Sequence, residues 1–507
     1  MKNIINFKNK FLVTMFVAAL ATTSVTPSIF AQRAGAPAQQ TQSITGAEIK
    51  GRAPVNKEIL KVQLPSAHEA TLSNGLRVIL LESHRVPTFT MQMVVLSGGL
   101  ADPADFRGLA SFTAGLLREG TATRKSKDIA EQIDTLGATL TAGAGLSSLT
   151  STVTTAGLFE NFDPALEIFA DVIRNPSFPQ EEVDKYKTRQ LQQLQFQRSI
   201  PQFLAQERFV RAIYGNHPAG LFAPPAESLK RVSTADLAKF HSTYYRPNNA
   251  MLTIVGDVTL KEIMPKLEKA FGNWQKGDLP AMTIPAAPAQ GAMRIQLIDR
   301  PGSVQTVLQL GNLGIERTNE DYFAMLVMNQ VLGAGPAARL FLNLREKNGY
   351  TYGAYSNFGG SKFRGTLISS SEVRTDVTGD AMKEFMYELK RLRDEKVTAV
   401  ELENAKRAIV GGFALSLEQP QSLLQNIVTQ KLYDLPANYW ATYPQKVQAI
   451  TVEDVQRIAQ KYVDLEHMQI VAVGDAAKTR AVLAKFGTVE EYDADGKPRA
   501  AAVEKNN

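Results

Sequence analysis

Apolar positions in this chain recur in two rhythms. Val78-Ile-Leu-Leu81 and Thr90–Leu96 are short β-branched and apolar runs bounded by turn signals, and they predict strands. Ile129, Ile133 and Leu136 fall at helical spacing, and Gly137 follows where such a helix would close. Thr139 to Thr155 is rich in Ser, Thr and Ala around Gly143 and Gly145 and reads as a strand pair. Leu166, Phe169 and Ile173 mark a second helix that must stop before Pro176. A long polar helix is expected from Glu181 onward. Much later, Phe385, Met386, Leu389 and Leu392 form a comparable stripe. Stripes of this kind predict core packing, in an α+β unit.

That unit occurs twice. Ser233-Thr-Ala-Asp236 opens a helix that leads through Tyr244 to Leu252-Thr-Ile-Val-Gly-Asp257. Thr451-Val-Glu-Asp454 leads in the same way through Tyr462 to Gln469-Ile-Val-Ala-Val-Gly-Asp475. The offset is 218 at the Asp (454 − 236), at the Tyr (462 − 244) and at the Gly (474 − 256). Near the start of each block, Val78–Leu81 matches Ile295–Ile298 at 217 (295 − 78). A near-constant offset at both ends indicates two copies of one unit of ~200 residues. The expected organisation is therefore two homologous α+β repeats, 61–275 and 292–490. Residues 276–291, rich in Pro and Ala, form the linker between them, and 491–507 a polar tail.

The N-terminus changes the picture of where such a protein works. Lys2, Lys8 and Lys10 precede the apolar run Phe11–Ala21, Pro27 breaks it, and Ala31 offers a cleavage position. Residues 1–31 thus read as a signal peptide and 32–60, rich in Ala, Gln, Gly and Pro, as a flexible tether. An exported, periplasmic or secreted protein follows, with no membrane span after cleavage. The formal charge of +6 includes those three lysines, and the remainder is too weak a bias to argue for nucleic acid. The absence of cysteine excludes disulfides, thiolate zinc sites, a cysteine nucleophile and a lipidated N-terminus. The five histidines (His68, His84, His217, His241 and His467) are scattered, with no two a helical turn apart, so surface or capping roles are expected of them.

Four further segments, in this order along the duplicated chain, carry more information. They are Asn175-Pro-Ser-Phe-Pro-Gln-Glu-Glu-Val183, Tyr214-Gly-Asn-His-Pro218, Tyr244-Tyr-Arg-Pro-Asn-Asn-Ala-Met-Leu-Thr-Ile-Val-Gly-Asp-Val258 and Leu344-Arg-Glu-Lys-Asn-Gly-Tyr-Thr-Tyr-Gly-Ala-Tyr-Ser356. Together they resemble the pitrilysin/insulinase family of zinc metallopeptidases, in its two-repeat bacterial branch akin to mitochondrial processing peptidase. The resemblance covers nearly all of residues 68–490 and implies that each α+β repeat is a mainly antiparallel sheet flanked by helices.

In that family the first repeat carries H-x-x-E-H on a helix. Two imidazoles one turn apart bind zinc, the Glu activates a water, and a Glu on a later helix completes the ligands. Aligned on Gly108-Leu-Ala-Ser-Phe-Thr-Ala-Gly-Leu-Leu117, the two His positions are Ser111 and Gly115 and the Glu is Ala114. The last ligand falls at Gln192 or Gln193. A hydroxyl, a methyl, a hydrogen and an amide cannot hold Zn²⁺ or deprotonate its water. No metal or other cofactor is expected on this chain. The second repeat keeps the family's Arg/Tyr substrate pair at its seven-residue spacing, as Arg345 and Tyr352 (352 − 345). Guanidinium and phenol can both donate hydrogen bonds to a peptide backbone. From the residues alone, an Arg345 paired with a neighbouring Glu and a packed Tyr352 is the competing reading. Gly333-Ala-Gly-Pro-Ala-Ala-Arg339 matches a glycine-rich loop of the family and reads as a close backbone approach near the substrate cavity.

The resemblance implies the non-metal, substrate-binding subunit of a heteromeric zinc endopeptidase that acts on unfolded peptides. Such a chain is inactive alone and active with a zinc-bearing homologous partner. The same fold also serves as inert core subunits of a respiratory complex, so a structural or peptide-binding protein is the alternative.

Overall fold

The computed structural model describes residues 67–499. The expected signal peptide and tether lie outside the described residues. Two six-stranded sheets form the frame. The first contains β1 (Ala67–Thr71), β2 (Arg77–Glu82), β3 (Thr88–Val95), β4 (Thr139–Ala144), β5 (Ser151–Leu158) and β6 (Ala250–Gly256) in the order β1-β2-β6-β3-β5-β4. The second contains β7 (Arg294–Asp299), β8 (Gln305–Leu313), β9 (Thr351–Phe358), β10 (Thr366–Arg374), β11 (Gln469–Gly474) and β12 (Val489–Tyr492) in the order β12-β7-β11-β8-β10-β9. Strands β2 to β6 thus correspond in position to β7, β8, β9, β10 and β11. In both sheets a late strand lies parallel to an early one, β6 on β2 and β11 on β7, and β12 also runs parallel to β7. The sheets are otherwise mostly antiparallel.

Local chemistry explains the matching ends of the repeats. The helices Thr234–Tyr244 and Val452–Tyr462 each begin with a reciprocal capping box. Ser233 and Thr451 accept from the backbone N–H groups of Asp236 and Asp454, whose carboxylates accept in return. Each box satisfies N–H groups that a helix start leaves without partners. On the inner face of the first sheet, Leu166, Phe169 and Ile173 of the helix Phe162–Arg174 join the core with Met91, Met93 and Leu252. Met382, Phe385, Leu389 and Leu392 do the same against Leu308 and Leu310 of the second.

The central strands are apolar on both faces. Every residue of β6 and of β11 is buried. A strand of this kind needs cover on each side. The second cover comes from the other repeat. The helix Pro201–Tyr214, first-repeat in sequence, lays Leu204, Phe209 and Ile213 on Ile298, Val307, Val471 and Val473 of the second sheet. The helix Pro420–Leu432 returns the contact, placing Leu423, Leu424 and Val428 over Ile79, Leu81, Met251 and Val255 of the first. Each exchanged helix carries proline in its first turn, where no intrahelical N–H is lost.

The linker 276–291 has no helix or strand but is pinned to the exchanged helix. Gln290 Nε2 donates to Ile213 O at 3.0 Å, and Ile284 and Ala287 pack on the same apolar cluster. At the other end, β12 runs to Tyr492, two residues past the expected end of the second repeat at 490. Residues 493–499 then fold back, with Arg499 N donating to Glu491 O at 2.8 Å. No helix among the described residues is long and apolar enough to cross a membrane.

Candidate functional site

Two places need description, one in each repeat. The first is the helix Leu109–Leu116, which carries Ser111, Ala114 and Gly115. Its start is fixed by Asp102, whose carboxylate accepts from Gly108 N at 2.6 Å and Ala110 N at 2.7 Å. Burial raises the Asp102 carboxyl to about 6, against the pull of those N–H groups and of Arg107. Ser111 and Gly115 are half-buried and one turn apart, and Ala114 is fully buried.

A tyrosine stands over Gly115. Tyr186, on the helix Gln180–Gln197, is only 7 % exposed. A Cβ on Gly115 would lie 2.7 Å from its Oη, 3.0 Å from Cε2 and 3.1 Å from Cζ. The ring packs edge-on against Phe112 at 6.4 Å, and burial pushes its hydroxyl up to about 12. On the next turn Arg189 reaches Glu119 at 3.1 Å. Gln192 and Gln193 are both exposed; Gln193, seven residues after Tyr186, shares its face of the helix. These residues do not fit zinc. The motif positions offer no imidazole or carboxylate, and a side chain at 115 would collide with a buried ring.

The histidines face nearby carboxylates and backbone groups instead. His84 Nδ1 is 2.6 Å from Asp257, and His467 Nδ1 is 2.7 Å from Asp464. His68 stands 3.8 Å from Glu82. His217 Nδ1 accepts from Ala219 N while its Nε2 faces Pro285 O at 2.8 Å. His241 Nε2 faces Ile173 O at 2.8 Å, and burial lowers its pKa to about 4. Among the described residues no three His, Asp or Glu side chains stand together to hold an ion.

The second place is built around Arg345 and Tyr352. The helical segment from Arg339 widens into a π-type turn over Leu342–Lys347, where Asn348 N donates back to Asn343 O at 3.1 Å. Wide turns of this kind recur at functional sites. Arg345 is exposed there, with Nη1 3.6 Å from Glu346 and Cζ 4.7 Å over the Phe341 ring. An exposed contact of that length with a neighbouring carboxylate is weak. Phe341 in turn meets Tyr355 of β9 at 5.7 Å, so the arginine's segment and the tyrosine's strand are packed together. No hydrogen bond joins Arg345 to Tyr352 themselves.

Tyr352 is 89 % exposed. Strict strand alternation would put it inside, on the face of the buried Ala354 and Ser356. A β-bulge prevents this. Ser371 pairs with Ala354 and Val373 with Thr351, so Tyr352 and Gly353 together oppose the single residue Glu372. Bulges re-aim side chains in this way, and a glycine inside a strand pattern is the sequence signal for one.

The glycine-rich loop is anchored at both ends beside this strand. Gly333 O accepts from Ser356 N at 2.9 Å, and a Cβ on Gly333 would lie 2.4 Å from that nitrogen. The backbone approach of this segment is to Ser356 of β9. At the far end Arg339 is 5 % exposed and grips Glu401 with two bonds, of 2.7 and 3.1 Å. Burial disfavours the Glu401 charge, but Arg339 and the Thr398 cap outweigh it and hold the carboxyl down at about 2.

Two family models match this layout. Residues 77–222 match the insulinase peptidases of family M16, and residues 231–409 match the M16 inactive domain. The chain belongs to the insulinase peptidase family, M16. Among M16 relatives, a Bacillus subtilis protein named uncharacterized zinc protease YmxG is 25 % identical over 69 % of this chain and 85 % of its own length. A Mycobacterium tuberculosis protein, also named an uncharacterized zinc protease, is 26 % identical over 77 % of this chain and 89 % of its own. A crystal structure described as the M16 inactive domain from Pseudomonas fluorescens superimposes with a TM-score of 0.75 at 28 % identity, covering 81 % of this chain and 98 % of that one. A Helicobacter pylori protease superimposes at 0.74 and 20 % identity, over 81 % of this chain and all of that one, and there the likeness is one of fold.

Proposed function

We propose that this M16 chain is the non-metal, substrate-binding subunit of a heteromeric zinc endopeptidase acting on unfolded peptides. One contrast carries the reading. In the first repeat the zinc positions hold Ser111, Ala114 and Gly115, with a ring over the last. In the second repeat Arg345 and Tyr352 stand at the surface, Arg345 with only the weak contact to Glu346 and neither side chain donating a hydrogen bond among the described residues. Guanidinium and phenol together suit an extended peptide backbone and the oxyanion that forms when it is cleaved. Zinc and the activated water would come from a homologous partner that keeps H-x-x-E-H. The leader-like residues 1–31 favour work outside the cytoplasm. The match of residues 231–409 to the family's inactive domain agrees with a division of labour between two chains.

The test is reconstitution. The purified chain is assayed on an unfolded peptide alone, then mixed with an exported H-x-x-E-H homologue from the same host. No cleavage alone, and faster chelator-sensitive cleavage by the mixture than by the partner alone, is the expected result. Chelator-sensitive cleavage by the rigorously purified chain, or a mixture no faster than the partner, would refute the proposal. The second of these outcomes would favour a structural role.

A further inference from the structure

We infer that Tyr186 is a plug: its ring occupies the space that a zinc-binding imidazole at position 115 would need, so the chain excludes the ion by filling the site as well as by lacking its ligands. Three atoms of Tyr186 lie within 3.1 Å of where a Cβ on Gly115 would sit, the nearest at 2.7 Å. Any residue except glycine therefore requires the tyrosine to shift. The ring has little freedom to yield. It is buried, one edge meets Phe112, and its helix is tied on the following turn by Arg189 to Glu119. No hydrogen bond holds the Tyr186 hydroxyl among the described residues, so the ring is kept there by its packing and by the Arg189 guanidinium 6.0 Å from its centre. A small residue at 115 and a large one at 186 form one coupled arrangement. Restoring the ligands without removing the ring should leave the site closed.

The experiment uses the full chain carrying Ser111→His, Ala114→Glu, Gly115→His and Gln193→Glu, made once with Tyr186 intact and once with Tyr186→Ala. Both are equilibrated with zinc, desalted and analysed for metal. The Tyr186→Ala form is expected to retain about one zinc per chain at a three-ligand site, and the Tyr186 form well below that. Equal zinc in both, or none in either, would overturn the inference. Should the fourfold variant not fold, single substitutions decide. Gly115→Ala is expected to lower the melting temperature of the otherwise unchanged chain, and to cause no further drop when Tyr186→Ala is already present. An unchanged melting temperature for Gly115→Ala, or the same drop in both backgrounds, would overturn it. No partner subunit enters either assay, so its outcome is separate from that of the reconstitution.

Discussion

Phe209→Ala should unfold both repeats more easily, although Phe209 belongs to one of them. Its ring is fully buried where the helix Pro201–Tyr214 crosses onto the second sheet, among Val307, Val471 and Val473. Removing a buried phenylalanine costs about 3–5 kcal/mol through lost transfer energy and the cavity left behind. Against a total stability of roughly 5–15 kcal/mol, that is a large share. Where the cost falls depends on the exchange of helices. The second sheet loses the cover over its central strands, and the first repeat loses the anchor of a helix it supplies. The chain's two tryptophans separate the readouts. Trp274 belongs to the first core, with Nε1 donating to Tyr245 O at 3.1 Å. Trp440 belongs to a second-repeat cluster with Phe413 and Tyr439. Urea unfolding is followed by fluorescence in Trp274→Phe and Trp440→Phe backgrounds, with and without Phe209→Ala. Both transitions are expected to move to lower urea together. A shift of the second-repeat signal alone would refute the coupling.

His241 should make the fold acid-sensitive. Its folded pKa is lowered to about 4, so below its ordinary 6.5 the unfolded chain takes up a proton that the folded chain refuses. The stability this leaves intact above pH 6.5 is lost as pH falls toward 4, by about 2 kcal/mol between pH 7 and 5. Urea midpoints of wild type and His241→Gln at the two pH values isolate the effect, and equal losses would refute it. Glu401→Gln should cost about 3 kcal/mol, because it leaves the Arg339 charge buried without its partner. The drop in melting temperature measures this, and a change within error would mean that Arg339 finds another acceptor.

The duplication was legible because its signals are local. Capping boxes and β-branched runs lie within a few residues of each other, and they repeat at one offset. The exchange of helices was not legible. The stripe Leu204, Phe209 and Ile213 says that a helix face is buried, and cannot say against which sheet. Gly115 could be seen as a lost ligand position, but its need to be glycine is set by Tyr186 on a different helix. The exposure of Tyr352 had a readable sign in Gly353, since a strand glycine marks a bulge. The pairing of Arg339 with Glu401 had none, because it depends on where a later helix packs. The polar composition after residue 490 hid the strand pairing of Val489–Tyr492, which is made by backbone groups rather than side chains.

The most direct test of the functional proposal is peptide turnover by a reconstituted complex that carries Tyr352→Phe. Tyr352 is almost fully exposed and makes no side-chain hydrogen bond among the described residues, so losing its hydroxyl should change stability by no more than about 0.5 kcal/mol. Assembly and melting temperature then serve as internal controls. Loss of one donor to the developing oxyanion should lower turnover by roughly 10²–10³. Arg345→Lys, which keeps the charge but not the planar fork, should also be damaging. Turnover reduced to that extent in an intact, normally melting complex is the expected result. Wild-type turnover by both variants would contradict it and leave this chain a scaffold.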